Sequence, residues 1–210
     1  MALLYAAQLT PSKIELIFGW LPTRSWFSGD PAGLESIGAY RFDDPDGEVG
    51  VETHLVRGPD GPTYQVPLTY RGAPLAGADE WLVGTMQHSV LGDRWVYDAC
   101  GDPVYAQTLA AAILTGGTQA AIEIDDHGHR SSAEPTARVK GSGLLTKLGT
   151  VGLVDVRDED ETTVVVTSVA EIVVRRVIGA GSSVLGEHEL VGTWPGVSDP
   201  TVLAAARSTG

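Results

Sequence analysis

The segment from residue 92 to residue 117 constrains the fold most, because it carries the signals of a strand, a turn and a capped helix in direct succession. Asp102 is a favoured N-cap residue, and Pro103 suits the first helical position, where no amide donor is needed. Gly116 and Gly117 supply a stop signal. Apolar residues recur on one face of the intervening segment: Tyr105, Leu109, Ala112 and Ile113. The sequence therefore predicts a helix over about 102–115 that packs on a sheet.

A second helix is predicted near the start of the chain, over about 10–21. Thr10 can cap it, and Pro11 is suited to the first helical position. Pro22 cannot continue a helix and is expected to end it. Four apolar residues follow helical spacing and define one docking face: Ile14, Ile17, Phe18 and Leu21.

Most of the remaining chain alternates with the period of two that indicates strands, separated by segments rich in Gly, Pro and Asp. Strands are predicted in the first half at 2–8, 37–42, 49–56, 63–71, 81–90 and 94–97, and in the second half at 120–124, 136–139, 151–156, 162–168, 171–178 and 187–193. Pro67 cannot donate to a ladder, so we expect strand 63–71 at a sheet edge or with a bulge.

These patterns predict an α+β protein with two main helices and mostly antiparallel, curved sheets. A soft domain boundary is expected near Gly116, dividing the chain into residues 1–116 and a β-rich second half, residues 117–210.

The charge balance argues against two classes of partner. A net charge of −13, from 27 acidic and 14 basic residues, repels nucleic acid and anionic membrane surfaces, and no basic stripe reverses it locally. Apolar runs are too short for a membrane span, no signal peptide is recognisable, and a cytoplasmic location is expected. A single cysteine, Cys100, excludes an internal disulfide and is expected to be a buried thiol.

Three groups of residues could form ligand sites. Asp125, Asp126, His127 and His129 could ligate a metal, but a solvated turn is favoured because Gly128 interrupts any regular strand. Residues 140–147, bounded by Lys140 and Lys147, are glycine-containing and basic, but lack the spacing of a P-loop. Aromatic and cationic side chains near the end of the first helix could stack on sugars or pack on a sheet: Trp20, Arg24 and Trp26. No catalytic residue, metal site or cofactor is predicted.

Three segments carry a resemblance to a known family: residues 21–27 (LPTRSWF), 64–68 (YQVPL) and 95–103 (WVYDACGDP). In order and spacing they resemble the N-terminal cap of actinobacterial maltokinases, over residues 1 to about 115. The chain is also similar to short stand-alone proteins that carry this cap-like domain. The resemblance implies a curved antiparallel sheet packed with helices, followed by a segment similar to a kinase intermediate or N-terminal lobe.

Maltokinases phosphorylate maltose with ATP, on the route from trehalose to glycogen-like glucans. The resemblance places residues 140–147 where a nucleotide-covering loop would lie. It places Arg175 and Arg176 on the strand that would carry the ATP-pairing lysine. The sequence shows neither a catalytic loop nor a metal-binding Asp motif, both of which kinase chemistry needs.

We therefore expect a non-catalytic accessory protein that docks on an enzyme of α-glucan, trehalose or maltose metabolism. The alternative is a small carbohydrate- or nucleotide-binding module, with phosphotransfer only if a partner completes it. The candidate ligand- or partner-binding residues are Trp20, Arg24, Trp26, Lys140 and Lys147. The sequence makes no prediction of oligomeric state.

Overall fold

The computed structural model describes residues 2–5, 7–59, 61–126, 129–179 and 186–208. Within them the chain forms two α-helices and sixteen strands in three sheets. The predicted class is confirmed: the fold is α+β, with mostly antiparallel, curved sheets.

The helices are α1 (Lys13–Trp20) and α2 (Pro103–Thr115). The first nine strands are β1 (Ala2–Tyr5), β2 (Leu9–Thr10), β3 (Glu35–Phe42), β4 (Gly50–Arg57), β5 (Thr63–Arg71), β6 (Leu82–His88), β7 (Gly92–Asp98), β8 (Ile122–Asp126) and β9 (His129–Ala133). The others are β10 (Arg138–Gly141), β11 (Leu153–Glu159), β12 (Thr162–Thr167), β13 (Ala170–Arg175), β14 (Val177–Ile178), β15 (His188–Trp194) and β16 (Val197–Ser208).

Two large antiparallel sheets dominate the fold. One has the order β2-β6-β7-β5-β4-β3, with the short strand β14 added to β5, and the other has the order β10-β15-β16-β13-β12-β11. A small third sheet, β1-β8-β9, contains the one parallel pairing among the described strands, between β1 and β8.

Helix α1 is confirmed, but its predicted cap is wrong. Thr10 belongs to β2, where it pairs with Gln87, and the helix starts after Ser12. Ser12 accepts from the amide of Glu15, and the Glu15 side chain accepts from the Ser12 amide. This reciprocal capping box satisfies two amides at once, which a Thr10 cap could not do.

Helix α2 matches the prediction. The Asp102 side chain accepts from the Val104 amide at 2.9 Å, and Gly116 ends the helix in the left-handed conformation that glycine adopts without strain. The predicted apolar face of Tyr105, Leu109, Ala112 and Ile113 is buried.

Strand β5 is an interior strand, so the predicted edge or bulge position is wrong. The backbone amide of Gln65 donates to the Arg176 carbonyl on the side of β5 away from β4. Alternate residues of a strand point to the same side, so the Pro67 nitrogen faces that side too. There it falls between the residues paired with β14 and those paired with β7, and no ladder donor is lost.

One hydrophobic cluster joins both large sheets through α2. Tyr105 and Leu109 of α2 belong to the same buried cluster as Leu55 of β4 and Ile172 and Leu203 of the six-stranded sheet. The core therefore extends across the domain boundary expected near residue 116. The boundary itself stays a prediction.

Candidate functional site

The segment 64–68 lies inside the protein. Tyr64, Gln65, Val66 and Leu68 are buried, and the Tyr64 hydroxyl donates to the Ser28 carbonyl. The side-chain nitrogen of Gln65, Nε2, donates to the backbone carbonyls of Arg175 (2.9 Å) and Leu203 (3.1 Å). Gln65 thus ties β5 to two strands of the other large sheet.

An ion pair forms a second link between the two sheets. Arg176 is fully buried, and its Nη2 donates to both carboxylate oxygens of Asp98, at 2.9 and 2.6 Å. Its Nε donates to the Thr163 hydroxyl at 2.7 Å, and its guanidinium lies 5.2 Å from the Trp26 ring centroid. Burial favours the neutral form, but the charge of Asp98 raises the pKa of Arg176 above its ordinary value. The Arg176 side chain therefore makes its contacts inside the protein.

Asp102, near the end of segment 95–103, also makes its contacts inside the protein. It is fully buried and accepts from Arg71 Nε (2.7 Å) and Nη2 (2.6 Å) in a bidentate pair. It also accepts from the Thr69 hydroxyl at 2.7 Å while capping α2. One carboxylate therefore fixes the start of α2 to strand β5.

The aromatic residues at and just after the end of α1 are core residues in this structure. Trp20 and Trp26 are 6% and 4% exposed and meet edge to face, with ring centroids 5.8 Å apart. The half-buried Arg24 lies over the Trp20 ring, 5.0 Å from its centroid. Stacking on a sugar needs an open ring face, and burial leaves these two rings none. A binding role for the three residues stays a prediction.

The loop of residues 140–147 closes the C-terminal end of α2. Its amides donate to the last helix carbonyls: Gly143 to Ile113 at 2.8 Å and Leu145 to Leu114 at 3.0 Å. Phosphate-binding loops offer their amides to the ligand, whereas these are already engaged at the negative end of a helix dipole.

The same loop exposes large apolar side chains. Leu144 is 90% exposed and Leu145 49% exposed, and they lie between the exposed Lys140 and Lys147. The base of the loop approaches α2 so closely that two of its positions require glycine. A Cβ at Gly141 or Gly143 would lie 1.9 or 2.1 Å from a carbonyl oxygen of α2. Ligand or partner binding by the two lysines stays a prediction.

A cleft of about 520 Å³ lies between the start of α1, the β3–β4 turn and the β6–β7 turn. Basic and aromatic residues line its inner part: Lys13, Arg41, Tyr70, His88 and Arg94. Asp43, Asp44 and Glu48 of the β3–β4 turn line the rim. Asp44 uses its carboxylate on the amides of its own turn, accepting from Asp46, Glu48 and Val49 at 2.8–3.1 Å.

A buried carboxylate, Glu52, organises the floor of this cleft. Its Oε2 bonds Lys13 Nζ and lies 3.5 Å from Arg41 Nη1 and 3.4 Å from His54 Nε2. His54 Nε2 is in turn 3.1 Å from the Tyr70 hydroxyl. Burial alone would raise the pKa of Glu52, but His54, Lys13 and Arg41 hold it well below its usual value. The cleft thus has an ionised, cation-rich floor.

Residues 20–102 match the family model of the maltokinase N-terminal cap domain. This segment is thus similar to a maltokinase N-terminal cap domain. No curated protein matches the chain.

Within the cap-like segment, the buried polar residues Gln65, Asp98 and Asp102 all act as structural links. Two of them bond residues beyond the segment, in β13 and at Arg176. In this chain, the segments 64–68 and 95–103 therefore supply structural contacts.

The described residues contain no group of three or more His, Cys, Asp or Glu that could hold a metal ion. Of the proposed metal-ligating turn, Asp125 and Asp126 end β8 and His129 begins β9. His127 and Gly128 lie outside the described residues, so the prediction of a turn there stays a prediction.

Cys100 is a buried free thiol, as predicted. Burial raises its pKa well above the usual value, which disfavours the thiolate a nucleophile requires. Neither described helix has the length and apolarity to cross a bilayer.

The cleft was not predicted from the sequence. Its floor residues come from α1, β3, β4 and β5, which are separated by up to 57 positions between Lys13 and Tyr70. One local signal was present: Glu52 and His54 stand two apart in strand β4, between the apolar Val51 and Leu55, and so share a face. Such a pair inside a buried strand indicates a polar network.

Proposed function

We propose that this protein is a non-catalytic, cap-like protein that docks on an enzyme of α-glucan, trehalose or maltose metabolism. The observation that carries the proposal is the loop of residues 140–147. It holds an almost fully exposed leucine, Leu144, on a backbone that is hydrogen-bonded to the end of α2. The match of residues 20–102 to a maltokinase domain supports the choice of partner class.

The chemistry of the loop suits a particular kind of surface. Apolar side chains on a pre-ordered backbone bind at a lower cost in conformational entropy, which suits them to an interface. Two of the three lysines of this acidic chain, Lys140 and Lys147, flank the leucines. A matching partner surface is an apolar groove with acidic residues at its rim.

The two small-molecule alternatives receive less support from the geometry. Sugar stacking on Trp20 or Trp26 would require buried rings to become exposed. Nucleotide binding through residues 140–147 would require the amides of Gly143 and Leu145 to leave the carbonyls of α2. Docking needs neither rearrangement.

The test is binding to purified host enzymes that act on maltose, trehalose or α-glucans, measured by interferometry. The Leu144→Ser/Leu145→Ser double variant is expected to bind about tenfold more weakly or worse, because the anchors are lost. Val90→Ser is the matched control: Val90 is also exposed (53%) but lies in the β6–β7 turn. The proposal is contradicted if none of these enzymes binds, or if the double variant binds as tightly as the wild type.

A further inference from the structure

The floor of the cleft carries more positive charge than its carboxylate balances. Lys13 and Arg41 both approach the same Glu52 oxygen, and Arg41 reaches it only at 3.5 Å. Arg41 is 8% exposed, and its Nε has no hydrogen-bond partner among the described residues. A buried guanidinium with unused donors is costly unless a further anion is bound nearby.

The opposite wall adds further positive charge. Arg94 is half-buried there, beside His88 of β6. Burial lowers the pKa of His88, and the charges of Arg94 and Lys13, which line the same cleft, lower it further. The acids of the lining lie apart from the buried floor, on the β3–β4 turn: Asp43 and Glu48 are solvent-exposed, and Asp44 accepts from the amides of its own turn.

The size and walls of the cleft indicate the rest of the ligand. A volume of about 520 Å³ is typical of a small-molecule site. Phe42 and Met86 give it apolar walls, while the carboxylates at the rim can accept hydrogen bonds from hydroxyl groups. An anionic head with a small hydroxylated body would satisfy both regions.

We propose that this cleft binds a small organic phosphate, with the phosphate held by Arg41, Lys13 and Arg94 and a polyol body toward the rim. Arginine is suited to this role because its planar donors match phosphate oxygens in pairs. The proposal is independent of docking, because the cleft and the loop of residues 140–147 are built from different elements.

Calorimetry of the full chain in phosphate-free buffer tests it, with inorganic phosphate, glucose 6-phosphate and glucose as probes. We expect saturable 1:1 binding of both phosphates and none of glucose. Arg94→Gln should weaken glucose 6-phosphate binding about tenfold, and Arg41→Gln should abolish it. Arg130→Gln is the control and should bind normally, since Arg130 is 63% exposed and lies in β9, away from the cleft lining.

If Arg41→Gln fails to fold, the half-buried wall residue carries the test through Arg94→Gln, with a bound phosphate also expected to raise the melting temperature of the wild type. No heat from either phosphate at millimolar concentration overturns the proposal. Glucose binding as tightly as its phosphate, or unchanged affinity in Arg94→Gln, overturns it equally.

Discussion

Replacing Arg176 by methionine is expected to lower the free energy of unfolding by about 3–5 kcal/mol, because it leaves the buried carboxylate of Asp98 without its partner. Asp98 is 1% exposed, and the Cys100 amide, at 3.2 Å, would still donate to it but carries no compensating charge. The Thr163 hydroxyl would also lose its donor. Urea unfolding, followed by circular dichroism, measures the change.

Two further variants make this result specific. Arg157→Met removes an exposed arginine whose ion pairs lie at the surface, and it should change stability little. Arg176→Met/Asp98→Asn removes both charges and should lose less stability than the two single variants added together. Strict additivity, or an Arg176→Met loss no larger than that of Arg157→Met, would show that the pair is not a structural link.

Substituting Gly143 by alanine is expected to cost about 2–3 kcal/mol through overpacking. The new Cβ would lie 2.1 Å from the Leu114 carbonyl oxygen, so the loop must separate from α2. That movement breaks the hydrogen bonds from Gly143 to Ile113 and from Leu145 to Leu114. Because the base of the loop is lost, partner binding should weaken together with stability.

Gly149→Ala is the matched control for this prediction. Nothing lies within 4 Å of a Cβ at Gly149, so the same substitution a few residues further along should be tolerated. Thermal unfolding and the interferometry assay are run on both variants. Equal stability of Gly143→Ala and Gly149→Ala would mean that the loop is not fixed to the helix end.

The elements that could be predicted are those whose signals are local. The helix α2 was predicted because Asp102, Pro103 and Gly116 act on the backbone beside them. The cap of α1 was misplaced because two capping sequences start two residues apart, and only the pairing of Thr10 with β6 decides between them.

Strand β16 shows what tertiary pairing adds. Its residues 204–206 are alanines, which have low strand propensity, and Pro200 interrupts the pattern. The strand nevertheless forms, because β13 and β15 pair with it on both sides. Pro200 lies where the register with β15 shifts, so its missing donor is tolerated there.

The candidate site was harder to predict than the fold. Residues 140–147 were singled out from their glycines and lysines, but their role at the end of α2 depends on where the helix and loop meet. The cation-rich cleft depends on Lys13, Arg41 and Tyr70 coming from three elements. No spacing in the sequence brings such residues together, so only the folded chain reveals the cleft.

The central claim is that the family-signature residues join the cap-like segment and the second half into one scaffold, from which the surface loop acts. Differential scanning calorimetry tests it most directly. Because Gln65, Asp98 and the core around α2 link both sheets, we expect one transition, with calorimetric and van't Hoff enthalpies that agree. Two separate transitions, with a calorimetric enthalpy well above the van't Hoff value, would contradict it.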